Sequence, residues 1–223
     1  MIHPLTRMAA PVAVALTAAV ASVPVHAEPP TGWRLVASVG ASHLPDVSTE
    51  ISGTGDIDGA YRVHNDGGFS GGLGLRHRYA NGWESEIAWE YRSNDTELVP
   101  TVGGTPLSGG NYASNTFFLN ARRYFGPVLG GEGYVGAGVF ITQELDIDYE
   151  PAGGERSFEQ GGAWGAQLLA GVVRPLNERW FVGGELRVAS LTGETLDAES
   201  GTGTVGPIDY EPVSLQVHLG WAF

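Results

Sequence analysis

Cysteine and lysine are both missing from this 223-residue chain. Without cysteine there is no disulfide framework, no thiolate nucleophile and no thiolate-held zinc. Without lysine all 12 basic residues are arginine, and they face 25 acids for a net charge of −13. That balance excludes nucleic acid as a partner, because phosphate backbones call for clustered cations. Long apolar runs are also scarce. The only extended one, Met8 to Val23, follows Arg7, falls short of the ~20 residues a membrane helix needs and closes with Pro24 and the small-residue site Val25-His26-Ala27. This is the layout of a secretory signal peptide over residues 1–27, with the exported chain, residues 28–223, beginning at Glu28.

What the sequence has in quantity is glycine, 34 residues, and strict every-other-residue alternation. Eight stretches alternate with period 2, the mark of a strand with two unlike faces. The last one, SLQVHLGWAF, sets Leu215, Val217, Leu219, Trp221 and Phe223 against Ser214, Gln216, His218 and Gly220. In FSGGLGLRHRY the apolar set Phe69, Leu73, Leu75 and Tyr79 opposes Arg76 and Arg78, with His77 on the apolar side. The turn Ala80-Asn81-Gly82 follows, and Asn-Gly is the strongest short hairpin signal. Its partner WESEIAWEYR places Trp83, Ile87, Trp89 and Tyr91 opposite Glu84, Glu86, Glu90 and Arg92. The same alternation runs through GWRLVASVGAS, TFFLNARRYF, EGYVGAGVFIT, WGAQLLAGVV and WFVGGELRV.

Connections between these stretches alternate between short turns and long, glycine-rich segments. The four long segments, residues 44–66, 93–111, 142–160 and 190–209, hold seventeen of the 25 acids. Eight antiparallel strands with tight turns at one end and long, acidic loops at the other make an up-and-down transmembrane β-barrel.

Charge decides which face is inside. The non-apolar faces carry Arg34, Arg76, Arg78, Arg92, Arg122 and Arg187 together with Glu84, Glu86, Glu90, Glu132 and Glu185. A water-facing surface has no need of so close a balance, whereas a narrow closed interior tolerates charge only when it is paired. The expectation is therefore an ion-paired lumen and an apolar exterior, with interfacial aromatics among Trp33, Tyr79, Trp83, Trp164, Trp180, Trp221 and Phe223. A soluble, ligand-carrying barrel would reverse these faces.

The stretches FSGGLGLRHRYANGWESEIAWEYR, YVGAGV and GGELRV, and the terminal alternation ending in Phe223, resemble the small outer-membrane barrels of the opacity-protein and OmpA-like transmembrane type. The resemblance implies residence in a bacterial outer membrane, contact with its lipid and lipopolysaccharide, and an aromatic C-terminal signal, Trp221 and Phe223, read by the barrel assembly machinery. It fixes fold more than function, because such barrels host unrelated roles.

Other motifs are weaker. Gly201, Gly203 and Gly206 spell GxGxxG, but no strand–turn–helix context surrounds them, and no cofactor is expected. No His-x-Ser pair occurs; Ser42 and His43 are adjacent and point to opposite strand faces, which disfavours a lipid-modifying enzyme. Asp146, Asp148 and Glu150 project to one side of an extended chain and could hold a divalent cation or bridge through one to lipopolysaccharide. The reading is a non-enzymatic barrel with a structural or surface-interaction role, its loops meeting a partner. A narrow porin or small-solute channel is the alternative, limited because eight strands enclose a space that side chains fill.

Overall fold

Tight turns at one end fix the pairing of the strands. At Tyr79–Trp83 the amide of Tyr79 donates to Trp83 O at 2.9 Å, and Gly82 takes φ +80°, which a side chain would resist. At the 176–179 turn, Asn177 Oδ1 accepts from the amides of Arg179 and Trp180, each at 2.9 Å.

The computed structural model describes residues 31–150 and 154–223; the proposed signal peptide lies outside them. The described chain forms β1 (Gly32–His43), β2 (Val47–Ser52), β3 (Gly59–Arg78), β4 (Trp83–Pro100), β5 (Leu107–Val128), β6 (Gly131–Tyr149), β7 (Arg156–Gln160), β8 (Trp164–Pro175), β9 (Trp180–Ala198), β10 (Thr204–Tyr210) and β11 (Val213–Ala222). All pairings are antiparallel. One ring runs β1–β3–β4–β5–β6–β8–β9–β11 and closes where Arg34 to His43 pair with Ala222 to Val213. These are the eight strands of the period-2 reading, closed into a barrel.

A second ring sits on the first. The upper halves of β3, β4, β5, β6 and β9 continue past it, and β2, β7 and β10 take the places of β1, β8 and β11. Three of the eight strands are thus broken between the rings: at Pro45, at Gly161–Ala163 and at Pro212. Proline lacks the N–H a central ladder needs, so it marks such a break.

The expectation of four long, acidic loops is corrected here. Most of their length is strand, because each carries its own apolar alternation: Tyr61 and Val63, Leu145, Ile147 and Tyr149, and Val205, Ile208 and Tyr210 are all buried. The acids lie mainly between them on the outer face, leaving only short tips as loop.

The two rings have opposite polarity. Around the lower ring the exposed side chains are apolar, including Leu35, Leu73, Ile87, Leu119, Leu168 and Leu215, while all the buried charged side chains of the relay point inward, packed against a smaller apolar and aromatic cluster that includes Val36, Tyr124, Tyr134 and Phe181. In the upper ring the buried side chains form the main apolar cluster, with Leu44, Leu98, Ile147, Phe158 and Leu196 among its members. β-Bulges shift the inward phase on β3, β6 and β9, the last between Leu191 and Glu194. On β3 the extra residue at Asp66–Gly67 shifts the inward positions from Ser70, Arg76 and Arg78 to Tyr61 and Val63. On β6 the bulge at Gln143 shifts them from Tyr134 and Phe140 to Leu145 and Ile147. β4 keeps its phase and instead changes composition, from Glu84, Glu86 and Glu90 to Leu98.

Candidate functional site

The lumen of the lower ring is where this chain concentrates its chemistry. Its layers follow from small inward residues: at Gly138 a Cβ would meet the backbone oxygen of Leu119 at 2.7 Å, and at Gly74 the Glu86 carboxylate at 3.0 Å. Glycine at these positions leaves room for long ionic side chains projecting from the neighbouring strands.

All eleven charged residues of the non-apolar faces lie in this lumen. Arg34 donates to Glu84 at 3.1 Å, and Arg76, opposite Glu86 in the hairpin register, donates to it at 2.6 Å. Arg122 bridges Glu86 at 2.7 Å and Glu185 at 2.9 Å. Arg187 continues the chain between Glu185 at 2.8 Å and Glu90 at 2.7 Å, and Arg92 closes it on Glu90 at 2.5 Å. Charges from β3, β4, β5 and β9 are therefore linked in one relay. Arg78 stands apart: it crosses the lumen to Glu132 at 2.5 Å and lies over the Tyr124 ring at 3.6 Å.

The four relay carboxylates also accept from neutral donors. Tyr124 donates to Glu84, Tyr134 to Glu185, Asn120 to Glu86 and Gln216 to Glu90, at 2.6 to 3.1 Å. Arginine suits these positions because its planar fork serves two carboxylates and cannot discharge by losing a proton. Above the relay, Arg92 donates to Tyr210 Oη at 2.6 Å, and Ser42, Asn65, Asn94 and Thr96 form a neutral layer joined by hydrogen bonds. That layer separates the ions from the apolar core of the upper ring.

His218 sits below this layer, beside the relay, 1 % exposed, its Nε2 without a hydrogen-bond partner and its ring 6.3 Å from Phe181. Ser214 is four strand residues away, roughly 13 Å, and donates nothing to it; its Oγ accepts from Arg92. Ser42 points inward and His43 outward. His77 lies on the outer wall between Trp33 and Tyr79, each ring 4.7 Å away.

The aromatic positions fall at two levels outside the lower ring. Trp33, Tyr79, Trp83, Trp180 and Phe223 are exposed at the turn end, where Trp221 stacks on Phe223 at 5.2 Å. Trp164 belongs to the opposite level with Phe69, Trp89 and Phe117. Between them lies an apolar band of the kind a bilayer core covers.

Asp146 and Asp148 sit on the outer face of the upper ring, and Glu150 is exposed at its end. Asp146 pairs in register with Glu159, and Glu159 with Asp197, so three carboxylates line up across β6, β7 and β9. Glu144, Glu155 and Glu199 share the same groove. Among the described residues no group of three or more side chains is arranged to hold a metal ion. Partial burial, then Asp148 and Glu144, push the Asp146 carboxyl up to about 6.

No protein-family model and no curated protein matches the sequence. Among solved structures, the outer membrane protein OprG from Pseudomonas aeruginosa is similar over 87 % of this chain and 97 % of that chain, with TM-score 0.62 and 14 % identity. Neisserial surface protein A aligns over 88 % and 100 % at TM-score 0.47 and 13 % identity. Ail of Yersinia pestis aligns over 87 % and 100 % at TM-score 0.43 and 12 % identity. The likeness to OprG establishes the fold, that of the small outer-membrane β-barrels.

Two outcomes are expected of this geometry. Glu86→Ala strips Arg76 and Arg122 of a shared partner in a closed lumen and should destabilise the barrel by about 3–5 kcal/mol in urea unfolding from lipid vesicles; a change within about 0.5 kcal/mol would put the ionic face in water. For Asp146, the folded chain holds its proton to about 6 and the unfolded chain only to the ordinary value near 3.8. Its contribution to stability therefore falls as pH rises through that window and stays low above it. Amides of β7 should exchange more slowly at pH 5 than at pH 7.5, after correction for intrinsic rates, and Asp146→Asn should reduce that difference.

Proposed function

We propose that this protein is a non-enzymatic outer-membrane barrel, held in the bilayer by its lower ring, whose working part is the acidic upper ring presented outside. The observation that carries this reading is the filled lumen. Every charged side chain of the relay is buried, with Arg34 and Arg122 at 0 % and Glu84 and Glu185 at 1 % exposure, and the relay residues hold one another. Eight strands enclose little more than the volume of their own side chains, and here that volume is occupied. The apolar band between two aromatic levels is the outer surface a bilayer-spanning barrel needs.

The outer wall of the upper ring supplies what such a role needs. Its carboxylates, Asp146, Asp148 and Glu150 among them, face outward, where lipopolysaccharide phosphates and divalent cations are the nearest charged neighbours. In this reading Trp221 and Phe223 end the closing strand as the element recognised during assembly. An enzymatic role finds little support, since Ser42 and His43 diverge and His218 has no hydroxyl within reach of its free nitrogen.

The test is single-channel recording of the chain from Glu28 to Phe223 in planar bilayers, with a heat-modifiable gel shift confirming that it is folded. The expected record is silent. Reproducible discrete openings would overturn the reading in favour of a narrow pore, with Arg34, Arg122, Glu132 and Arg187 as the residues along its path.

A further inference from the structure

The hairpin tip between β2 and β3, residues 53–58, does not stand up from the upper rim. It is folded into a compact turn, with Asp58 Oδ1 accepting from the amide and hydroxyl of Thr54, both at 2.8 Å, and from the amide of Gly55 at 3.1 Å. Gly53 and Gly55, at φ +80° and +86°, allow the reversal. Ile57, at the head of this turn, is only 8 % exposed and belongs to the apolar cluster of the upper ring. Tyr61 holds it there by donating its hydroxyl to Ile57 O at 2.9 Å.

One contact shows how far the tip reaches. Arg156 Nη2, at the start of β7, lies 2.8 Å from Asp56 Oδ2. Around the upper ring β7 is three strands from β2 through β9 and β10, and four from β3 through β4, β5 and β6. In a ring of eight, four places is the full diameter and three is one short of it, so this ion pair spans the mouth of the barrel. A side contact, Thr202 Oγ1 donating to Gly53 O at 2.9 Å, holds the near end. Beside the tip an open groove of about 380 Å³ separates it from the turn at Thr101–Thr105. The tip is therefore fixed at its two ends and free along one flank.

We propose that residues 53–58 form a lid over the extracellular mouth, seated by Ile57 and latched across the diameter by the Asp56–Arg156 pair. Both latch side chains keep water contact, 53 % and 33 % exposed, and a pair of that kind is weak and salt-sensitive. The latch therefore biases the lid toward closure without locking it. Opening exposes an apolar well in which the hydroxyls of Tyr112 and Tyr149 have no hydrogen-bond partner. The lid stands independently of whether the lower lumen conducts.

Because the chain has no cysteine, a single one reports cleanly. Ile57→Cys, in the full exported chain reconstituted in vesicles, should react with a membrane-impermeant maleimide far more slowly than Val102→Cys, whose parent side chain is 89 % exposed. Adding Arg156→Ala should speed the Ile57→Cys reaction about two- to fivefold, as should high salt. The exchanged pair Asp56→Arg with Arg156→Asp should return it to the slow rate. Labelling at position 57 as fast as at 102, or a rate indifferent to Arg156→Ala, would overturn the lid. Hydrogen exchange of the 53–61 segment, compared between the native chain and Arg156→Ala, reads the same opening without substituting Ile57, and equal rates there would overturn it too.

Discussion

A closed ring of eight strands leaves no water to solvate a charge in its lumen, and the rest of this structure follows from that constraint. Eleven ionic side chains point inward from the lower ring, and each must find a counter-charge, for most of them on another strand. The solution is the relay from Arg76 through Glu86, Arg122, Glu185, Arg187 and Glu90 to Arg92, which Arg34 joins through Glu84. Such a network stabilises little beyond what a well-packed apolar core would, because desolvation offsets much of the Coulomb attraction. Its force is in specificity: strands in the wrong register would strand a guanidinium or a carboxylate, at a cost several kcal/mol larger than any surface pair can return.

The polar lumen also dictates the outside. With ions inward, the other set of period-2 positions must be apolar, and a band of Leu, Val, Ile and aromatic side chains encircles the lower ring. Above that band the environment changes from lipid to water, and a strand that kept its pattern would present apolar residues to solvent and ions to nothing. The chain resolves this with bulges at Asp66–Gly67, at Gln143 and between Leu191 and Glu194, a change of composition along β4, and breaks at Pro45, Gly161–Ala163 and Pro212. The upper ring then folds as a soluble barrel does, apolar within and acidic without.

Much of the lower ring was legible in the sequence because its signal is local. Period-2 alternation, Asn81-Gly82 and the Arg and Glu on one face of each strand need no knowledge of the partner strand. The upper ring was hidden for a physical reason. Bulges shift the phase of the alternation mid-strand, so Tyr61 and Val63 fall out of step with Ser70 and Arg76, and a reader following one phase sees a polar loop. Ion pairing was legible only between hairpin neighbours, such as Arg76 and Glu86. The pairs Arg78 with Glu132 and Arg122 with Glu185 join strands three places apart in the ring and depend on its curvature, which no single strand encodes. The lid was beyond reach for the same reason, since Asp56 and Arg156 meet only across a closed mouth.

The inversion of polarity between the rings is the claim on which this account stands. It is tested most directly by methyl NMR of the unmodified protein in lipid nanodiscs, with a paramagnetic chelate in the water and a paramagnetic label in the acyl chains. The account predicts that methyls of Ile87, Leu119 and Leu168 are broadened by the lipid-borne probe, and that those of Leu98, Leu145, Ile147 and Leu196 are broadened by neither. Broadening of the second group by the aqueous chelate would mean that the long connections are solvated loops after all, and would contradict it.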